Sequence, residues 1–337
     1  MLFRSDGLAE VCDPGTKVLV IGHVNDVLLY RELIRRGVSE YVVAPLDMFA
    51  FLHAVADLYH SPEAAPVGRS IAVFGAKGGC GSSTIAHNVA WSIARTFSND
   101  VVVADLDLAW GTAGLDFNQD PTQGVFDALN SPDRVDETFL DRLLTRCADN
   151  LSLLAAPAML DRTYDFEEQA FDPMIEVGRA IVPVLVLDLP HQWSGWVRRQ
   201  MREADEVVIV AEPDLANLRN AKNVVDVMRA SRPNDAPPRL VFNRVGLPKR
   251  PEIKPEEFAR ALDLPISATI PFDAALFGNA ANKGQMIGEV DAKHAVTEVF
   301  RTLGAQVTGR GEVRKSRRPG LAQLMPLIEK LRARKAS

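Results

Sequence analysis

Between Phe74 and Thr84 the chain reads FGAKGGCGSST, and these are residue types that hold phosphate. Glycines let successive backbone N–H groups curl around phosphate oxygens, and a helix that follows adds the partial positive charge of its N-terminus. The run approaches the pattern G-x-x-x-x-G-K-[ST], but Ser82 stands where such loops carry lysine, directly ahead of Ser83. A neutral hydroxyl there supplies a hydrogen bond and no charge, so a charge-assisted contact worth about 1.5–3 kcal/mol is missing. Phosphate binding is expected to survive that loss and turnover to suffer from it. A plain flexible turn would explain the glycines, but not an ordered lysine and three hydroxyls beside them.

Carboxylates recur where such a loop needs them. Asp105 and Asp107 end the apolar run VVVADLDL, and Asp188 ends VPVLVLDLP. The carboxyl ends of buried parallel strands open onto the ligand crevice of a doubly wound sheet. One acidic residue at a strand end is as readily a turn former. Three of them downstream of the glycine loop favour a site.

These residues need elements to hold them. From Ile71 the strand candidates are IAVFGA, VVVADLDL, LSLLAAP, VPVLVLDLP, DEVVIVAEP, RLVFNRV and ISATIP, with helical stretches between most of them. Val/Ile/Leu runs without alternation belong to strands buried on both faces, so the expected fold is α/β, a doubly wound and mostly parallel sheet. The glycine turn opens a helix with an apolar stripe at Ile85, Val89 and Ile93. Residues 17 to 60 also alternate strand and helix, and GVSEYVVAP, Gly37 to Pro45, resembles the late part of a response-regulator receiver domain, with Ala44 in place of that family's lysine. A receiver needs five strands and a phosphoacceptor aspartate, which the residues upstream cannot supply. The front piece is therefore expected to be a partial receiver-like segment that takes no phosphate, its other half lying ahead of Met1 or absent. The organisation expected is this segment over 1–60, a linker over 61–70, the main α/β domain over 71–308 and a basic tail over 309–337.

KGGCGSST resembles the deviant Walker A motif, KGG-x-GK[ST]T, of the MinD/ParA ATPases. The resemblance implies ATP and Mg²⁺ as cofactors and a homodimer that sandwiches two ATP molecules, with Lys77 reaching across to the partner's nucleotide. Gly78, Gly79, Cys80, Gly81 and Ser82 would wrap the phosphates, Ser83 would ligate Mg²⁺, and Thr84 would face the α-phosphate. Asp188 would hold Mg²⁺ through water, Asp105 would support the same cation, and Asp107 would position the attacking water. Asn243 and Arg244, after the strand RLVF, would meet adenine on one side, with Pro271 as a second wall.

Ser82, the segment DLDLAWGTAGLDFNQDPTQGVFDAL and the front piece together resemble the TadZ/CpaE branch of pilus-assembly proteins, from about Gly15 to Ala305. That resemblance implies a nucleotide-dependent switch that helps localise and assemble the Tad/Flp pilus secretion machinery, with weak or absent hydrolysis. The alternative is a partitioning or positioning ATPase of the ParA/MinD type with active hydrolysis. DNA binding is not expected of the main domain: residues 309–337 carry nine Lys/Arg against two Glu, which leaves −13 for the rest of a chain whose net charge is −6.

Composition excludes other classes. Cys12, Cys80 and Cys147 lack cluster or zinc spacing, and Cys80 is read as a small residue among glycines. No signal segment or apolar run of membrane-spanning length occurs, so the expected location is cytoplasmic, polar or peripheral at the inner membrane. The tail offers Leu321, Leu324, Met325, Leu327, Ile328 and Leu331 beside its cations, for contact with anionic lipid or as a solvated extension. His191 is read as an ordinary surface histidine, and Trp91, Trp193 and Trp196 as core or interface packing.

Overall fold

A computed structural model describes residues 17–24, 26–35, 37–46, 48–59, 67–161 and 163–310. Cys12 and all but the first two residues of the basic tail lie outside them. The chain divides into two compact units, 1–66 and 67–337.

In the first unit β1 (Leu19–Gly22), α1 (Val27–Arg35), β2 (Glu40–Val43) and α2 (Met48–Tyr59) follow one another. The two strands pair in parallel, Leu19 opposite Glu40. A small core of Leu33, Val38 and Tyr41 packs between them and α1, and the Tyr41 hydroxyl donates to the carbonyl of Val24 at 2.9 Å.

The second unit carries the strands β3 (Arg69–Gly75), β4 (Val101–Asp105), β5 (Thr145–Ala148), β6 (Leu151–Leu154), β7 (Val184–Leu189), β8 (Glu206–Ala211), β9 (Arg239–Val245) and β10 (Ile266–Pro271). They form one sheet in the order β10-β9-β8-β3-β7-β4-β6-β5. Every pairing is parallel except that of β5 with β6. The α/β, mostly parallel architecture expected from the unbroken apolar runs is the one observed. The strand missed is β5, whose TRCA sequence is short and barely apolar; it turns back onto β6 through Asp149 and Asn150, the latter at φ 59°.

Successive strand residues feed opposite cores, which is why the runs contain no polar alternation. Ile71 and Val73 face one side, with α3 (Ser82–Phe97), α11 (Ala274–Lys283), α12 (Ile287–Val290) and α13 (Ala295–Val307). Ala72 and Phe74 face the other, with α5 (Val125–Leu129), α6 (Glu137–Leu143), α7 (Asp172–Ile181), α8 (Gly195–Glu203), α9 (Leu215–Ser231) and α10 (Pro255–Leu262). A short helix, α4 (Ala113–Asp116), lies in the segment after β4. Ile85, Val89 and Ile93 are buried to 2% exposure or less, so the stripe read on α3 is its sheet-facing side.

The chain leaves β3 toward β4 on one side and later returns to place β7 between them and β8 on the far side. That reversal opens a crevice at the carboxyl ends of β3, β7 and β4, the position at which doubly wound sheets bind ligands.

Candidate nucleotide site

β3 delivers the chain into the loop at Gly75, and α3 leaves it at Ser82. Counted back from Gly81, the phosphate-loop pattern puts its first glycine at Ala76, so the run departs from it at Ala76 as well as at Ser82. Gly79 and Gly81 take φ of 80° and 87°, a conformation that side chains disfavour. Gly81 has a second reason to be glycine, since a Cβ there would stand 2.4 Å from Asn243 Nδ2. No side chain caps α3, which leaves its first N–H groups at the loop.

The loop is pinned from outside. Asn243 Nδ2 donates to the Cys80 carbonyl at 2.8 Å, and Asn220 Nδ2 donates to the Ala76 carbonyl at 2.9 Å. Arg244 donates to the Gly79 carbonyl at 2.7 Å and pairs with Glu212 at 2.8 Å. His191, exposed as its sequence reading has it, nonetheless sets Nδ1 2.8 Å from the Gly75 carbonyl. Cys80 is 2% exposed with Sγ 3.4 Å from the Val210 carbonyl, and burial pushes its thiol up, which argues against a reactive loop thiol.

Lys77, Gly78 and Gly79 are exposed at the rim. The Lys77 ammonium rests 3.7 Å from Asp214 Oδ2 of the same chain. Asp214 caps α9, its Oδ1 accepting from the N–H of Asn217 at 2.8 Å.

Across the crevice Asp105 and Asp188 end neighbouring strands in register. Both Asp105 oxygens are taken, Oδ1 by the N–H of Asp107 and Oδ2 by the N–H of Ala113, each at 3.1 Å. Gly111 makes room for this carboxylate, because a Cβ there would come within 2.3 Å of Oδ2. Asp105 therefore ties down the segment that follows β4. Burial, and then the neighbouring charge of Asp188, push the Asp105 carboxyl above its usual range. Asp107 is half-buried, accepts from the N–H of Trp110 at 3.1 Å and is also raised, chiefly by burial.

Asp188 is 2% exposed, and its Oδ1 is buried without a hydrogen-bond partner. An orphaned carboxylate oxygen in a crevice suits the outer coordination of a hydrated cation, because Mg²⁺ keeps several waters and takes few protein oxygens besides phosphate. Among the described residues no three His, Cys, Asp or Glu side chains are grouped to cage a metal on their own.

Sequence reasoning missed His87 and Asp116. His87 is fully buried on α3, with Nδ1 2.8 Å from Asp116 Oδ2 and Nε2 3.2 Å from Asp188 Oδ2. The only sequence signal was a histidine one turn beyond Ser83, on a helix otherwise rich in small and apolar residues. Burial alone would lower its basicity, but the two carboxylates outweigh that and hold it up to about 10.

Beside the loop lies a cavity of about 430 Å³ whose walls include Thr84, Asp116, Asn243, Arg244, Pro271 and Phe277. The structure thus brings Asn243, Arg244 and Pro271, distant in sequence, to one cavity adjoining the helix that starts at Ser82. Asn243 Oδ1 accepts from the N–H of Arg244 at 2.9 Å, so its amide is already oriented by the fold. Of the tryptophans, Trp196 is 3% exposed, while Trp193 is 47% exposed and meets Phe74 edge-on. No helix among the described residues is long and apolar enough to cross a membrane.

No family model matches the chain. In sequence it is 25% identical over 251 residues to the septum site-determining protein MinD of Synechocystis sp., an alignment that covers 72% of this chain and 90% of that protein. In structure it is similar to a ParA family ATPase from Chlorobium tepidum, with a TM-score of 0.64, 22% identity and coverage of 71% of this chain and 98% of that one. It is also similar to MinD of Pyrococcus horikoshii, solved in complex with Mg-ADP, with a TM-score of 0.60, 19% identity and coverage of 71% and 96%. The structures share its fold, and together with the relative they support the MinD/ParA ATPase superfamily.

Proposed function

We propose that this chain is an ATP-binding switch. The observation that carries the reading is the junction of β3, the loop from Gly75 to Ser82 and α3, set against Asp188 and opening sideways into a cavity beside Asn243. Loop N–H groups and the uncapped start of α3 take phosphate oxygens, and the cavity takes the nucleoside. Ser83 and Asp188 would hold Mg²⁺, which when bound supplies charge neutralisation of the phosphates. Asp107 positions the attacking water, and Asn243, Arg244 and Pro271 meet the base. The Mg-ADP complex of the similar Pyrococcus protein supports nucleotide and Mg²⁺ as ligands.

Ser82 leaves the phosphates one cation short, so Lys77 is assigned to the partner's nucleotide and nucleotide retention is coupled to homodimerisation. Weak or absent hydrolysis follows from the same deficit. The partners proposed are components of the Tad/Flp pilus machinery, on the resemblance of KGGCGSST and GLDFNQDPTQG to the TadZ/CpaE branch and of the front segment to a silent partial receiver. The location that goes with this role is the cytoplasmic face of the inner membrane, at a cell pole.

Calorimetry with Mg-ATP and sedimentation with ATP or a non-hydrolysable analogue test the switch. Saturable heat, and a nucleotide-driven dimer in the wild type that is lost in Lys77→Ala, are the expected results. No saturation at millimolar Mg-ATP removes the reading. Phosphate release that disappears in Asp107→Ala would instead favour a cycling ATPase of the positioning type.

A further inference from the structure

His87 joins two parts of the site that the chain keeps far apart in sequence. On one side Asp188 closes β7 at the phosphate end of the crevice, with Oδ1 buried and unpartnered. On the other, Asp116 ends α4, is 22% exposed at its side chain, and forms part of the wall of the 430 Å³ cavity. The imidazole between them is fully buried, 2.8 Å from Asp116 Oδ2 through Nδ1 and 3.2 Å from Asp188 Oδ2 through Nε2. The Nε2 contact has ion-pair distance without hydrogen-bond alignment, whereas the Nδ1 contact is a well-formed hydrogen bond. The ring is also packed against Phe117, with centroids 5.3 Å apart. Asp116 is thus the firmer of the two holds on the ring, and Asp188 lies within ion-pair reach of it.

We propose that His87 is a positioning residue that links the nucleoside cavity to the cation site: Asp116 fixes the ring through Nδ1, and the ring through Nε2 fixes Asp188 Oδ2, leaving Oδ1 for a cation-bound water. The proposal rests on the reading of the crevice as a nucleotide site. A carboxylate with one oxygen ion-paired to a fixed ring presents the other in one orientation, which is what outer-sphere coordination of Mg²⁺ requires. Loss of Asp116 frees the ring and costs the cation, although Asp116 lies in the cavity rather than beside the phosphates. Arg and Lys side chains play no part in this chain of contacts, so its effect is distinct from that of Lys77.

The dissociation constant of ADP is measured by calorimetry on the full chain with Mg²⁺ and with excess EDTA, and the readout is the constant in EDTA divided by the constant in Mg²⁺. Asp116→Asn and His87→Gln are each expected to reduce that ratio at least fivefold, and the double variant no further than the stronger single one, because the two act in series. A merely structural role lowers the melting temperature and weakens both constants alike, leaving the ratio unchanged. A ratio within twofold of wild type in Asp116→Asn overturns the link, as does additivity in the double variant. Should His87→Gln fail to fold, Asp116→Asn, at a partly exposed position, decides alone. Wild-type protein that binds no ADP under either condition overturns the nucleotide reading, and the link with it.

Discussion

Asp105 stands opposite Asp188 in the parallel register of β4 and β7, and among the described residues no Lys or Arg pairs with either buried carboxylate. The cation that relieves this crowding is His87, whose Nε2 lies 3.2 Å from Asp188. The carboxylate pair therefore has a resident positive charge buried beside it on α3, in addition to Lys77 at the rim of the loop. Asp105 spends both oxygens on backbone N–H groups of the segment after β4, whereas Asp188 Oδ1 is buried without a partner.

The raised basicity of His87 makes metal-free stability depend on pH. The folded group holds its proton to about pH 10, against 6.5 for an ordinary imidazole. Between those values the folded chain binds more protons than the unfolded one, so stability is fully present below pH 6.5 and is lost as pH rises toward 10. Thermal melts of ligand-free protein across this window should fall with rising pH in the wild type, with a slope of at most about 1.4 kcal/mol per pH unit from this group. His87→Gln should flatten the curve, and an unchanged slope would assign the effect to other groups.

Two loop glycines offer a matched comparison. Gly79→Ala meets nothing within 4 Å and suffers only from φ of 80°, whereas Gly81→Ala has φ of 87° and also drives a Cβ to 2.4 Å from Asn243 Nδ2. Backbone strain alone costs about 1–3 kcal/mol, so both variants should melt lower than wild type. Gly81→Ala should melt lower still and bind Mg-ATP more weakly, because it displaces the amide that holds the Cys80 carbonyl. Equal melting temperatures would show that Asn243 gives way without cost.

The sheet was legible because its strands are buried on both faces, which leaves unbroken apolar runs such as VLVLDL; β5 escaped notice because an antiparallel edge strand needs no such run. The loop and the three strand-end aspartates were legible for the same reason, since glycine and acid stand out after a run of Val and Leu. His87 and Asp116 were not. Each is an ordinary polar residue on a helix, and only the return of β7 between β3 and β4 places Asp188 against α3 to make a chain of contacts from them. Asn243 was legible by its place late in β9, but its grip on the Cys80 carbonyl spans 163 positions and has no local signature.

Ser82→Lys tests what the missing cation costs. The Ser82 hydroxyl lies over the end of β3, 3.0 Å from where a Cβ on Gly75 would stand, so a side chain at this position starts beneath the loop. A lysine there should restore a charge-assisted contact of about 1.5–3 kcal/mol and tighten Mg-ADP binding tenfold or more by calorimetry. Phosphate release should rise with it if Asp107 is otherwise in place. Affinity that stays at the wild-type level would mean that the resident charge of His87 already balances the site.

Lys77 is held at home by Asp214, and that contact sets a threshold for its proposed reach to a second copy. The pair is 3.7 Å long with side chains 51% and 27% exposed, so it is worth no more than about 1 kcal/mol. Asp214 also caps α9 through the N–H of Asn217, a role that asparagine performs equally well. Asp214→Asn therefore removes the charge partner and leaves the helix intact. Released from it, Lys77 should favour the nucleotide-bound dimer, lowering its dissociation constant by up to about fivefold in sedimentation while the nucleotide-free protein is unchanged. The opposite result, weaker dimerisation with nucleotide present, would mean that Asp214 aims Lys77 rather than restrains it. A melting temperature equal to wild type confirms in either case that the cap has been kept.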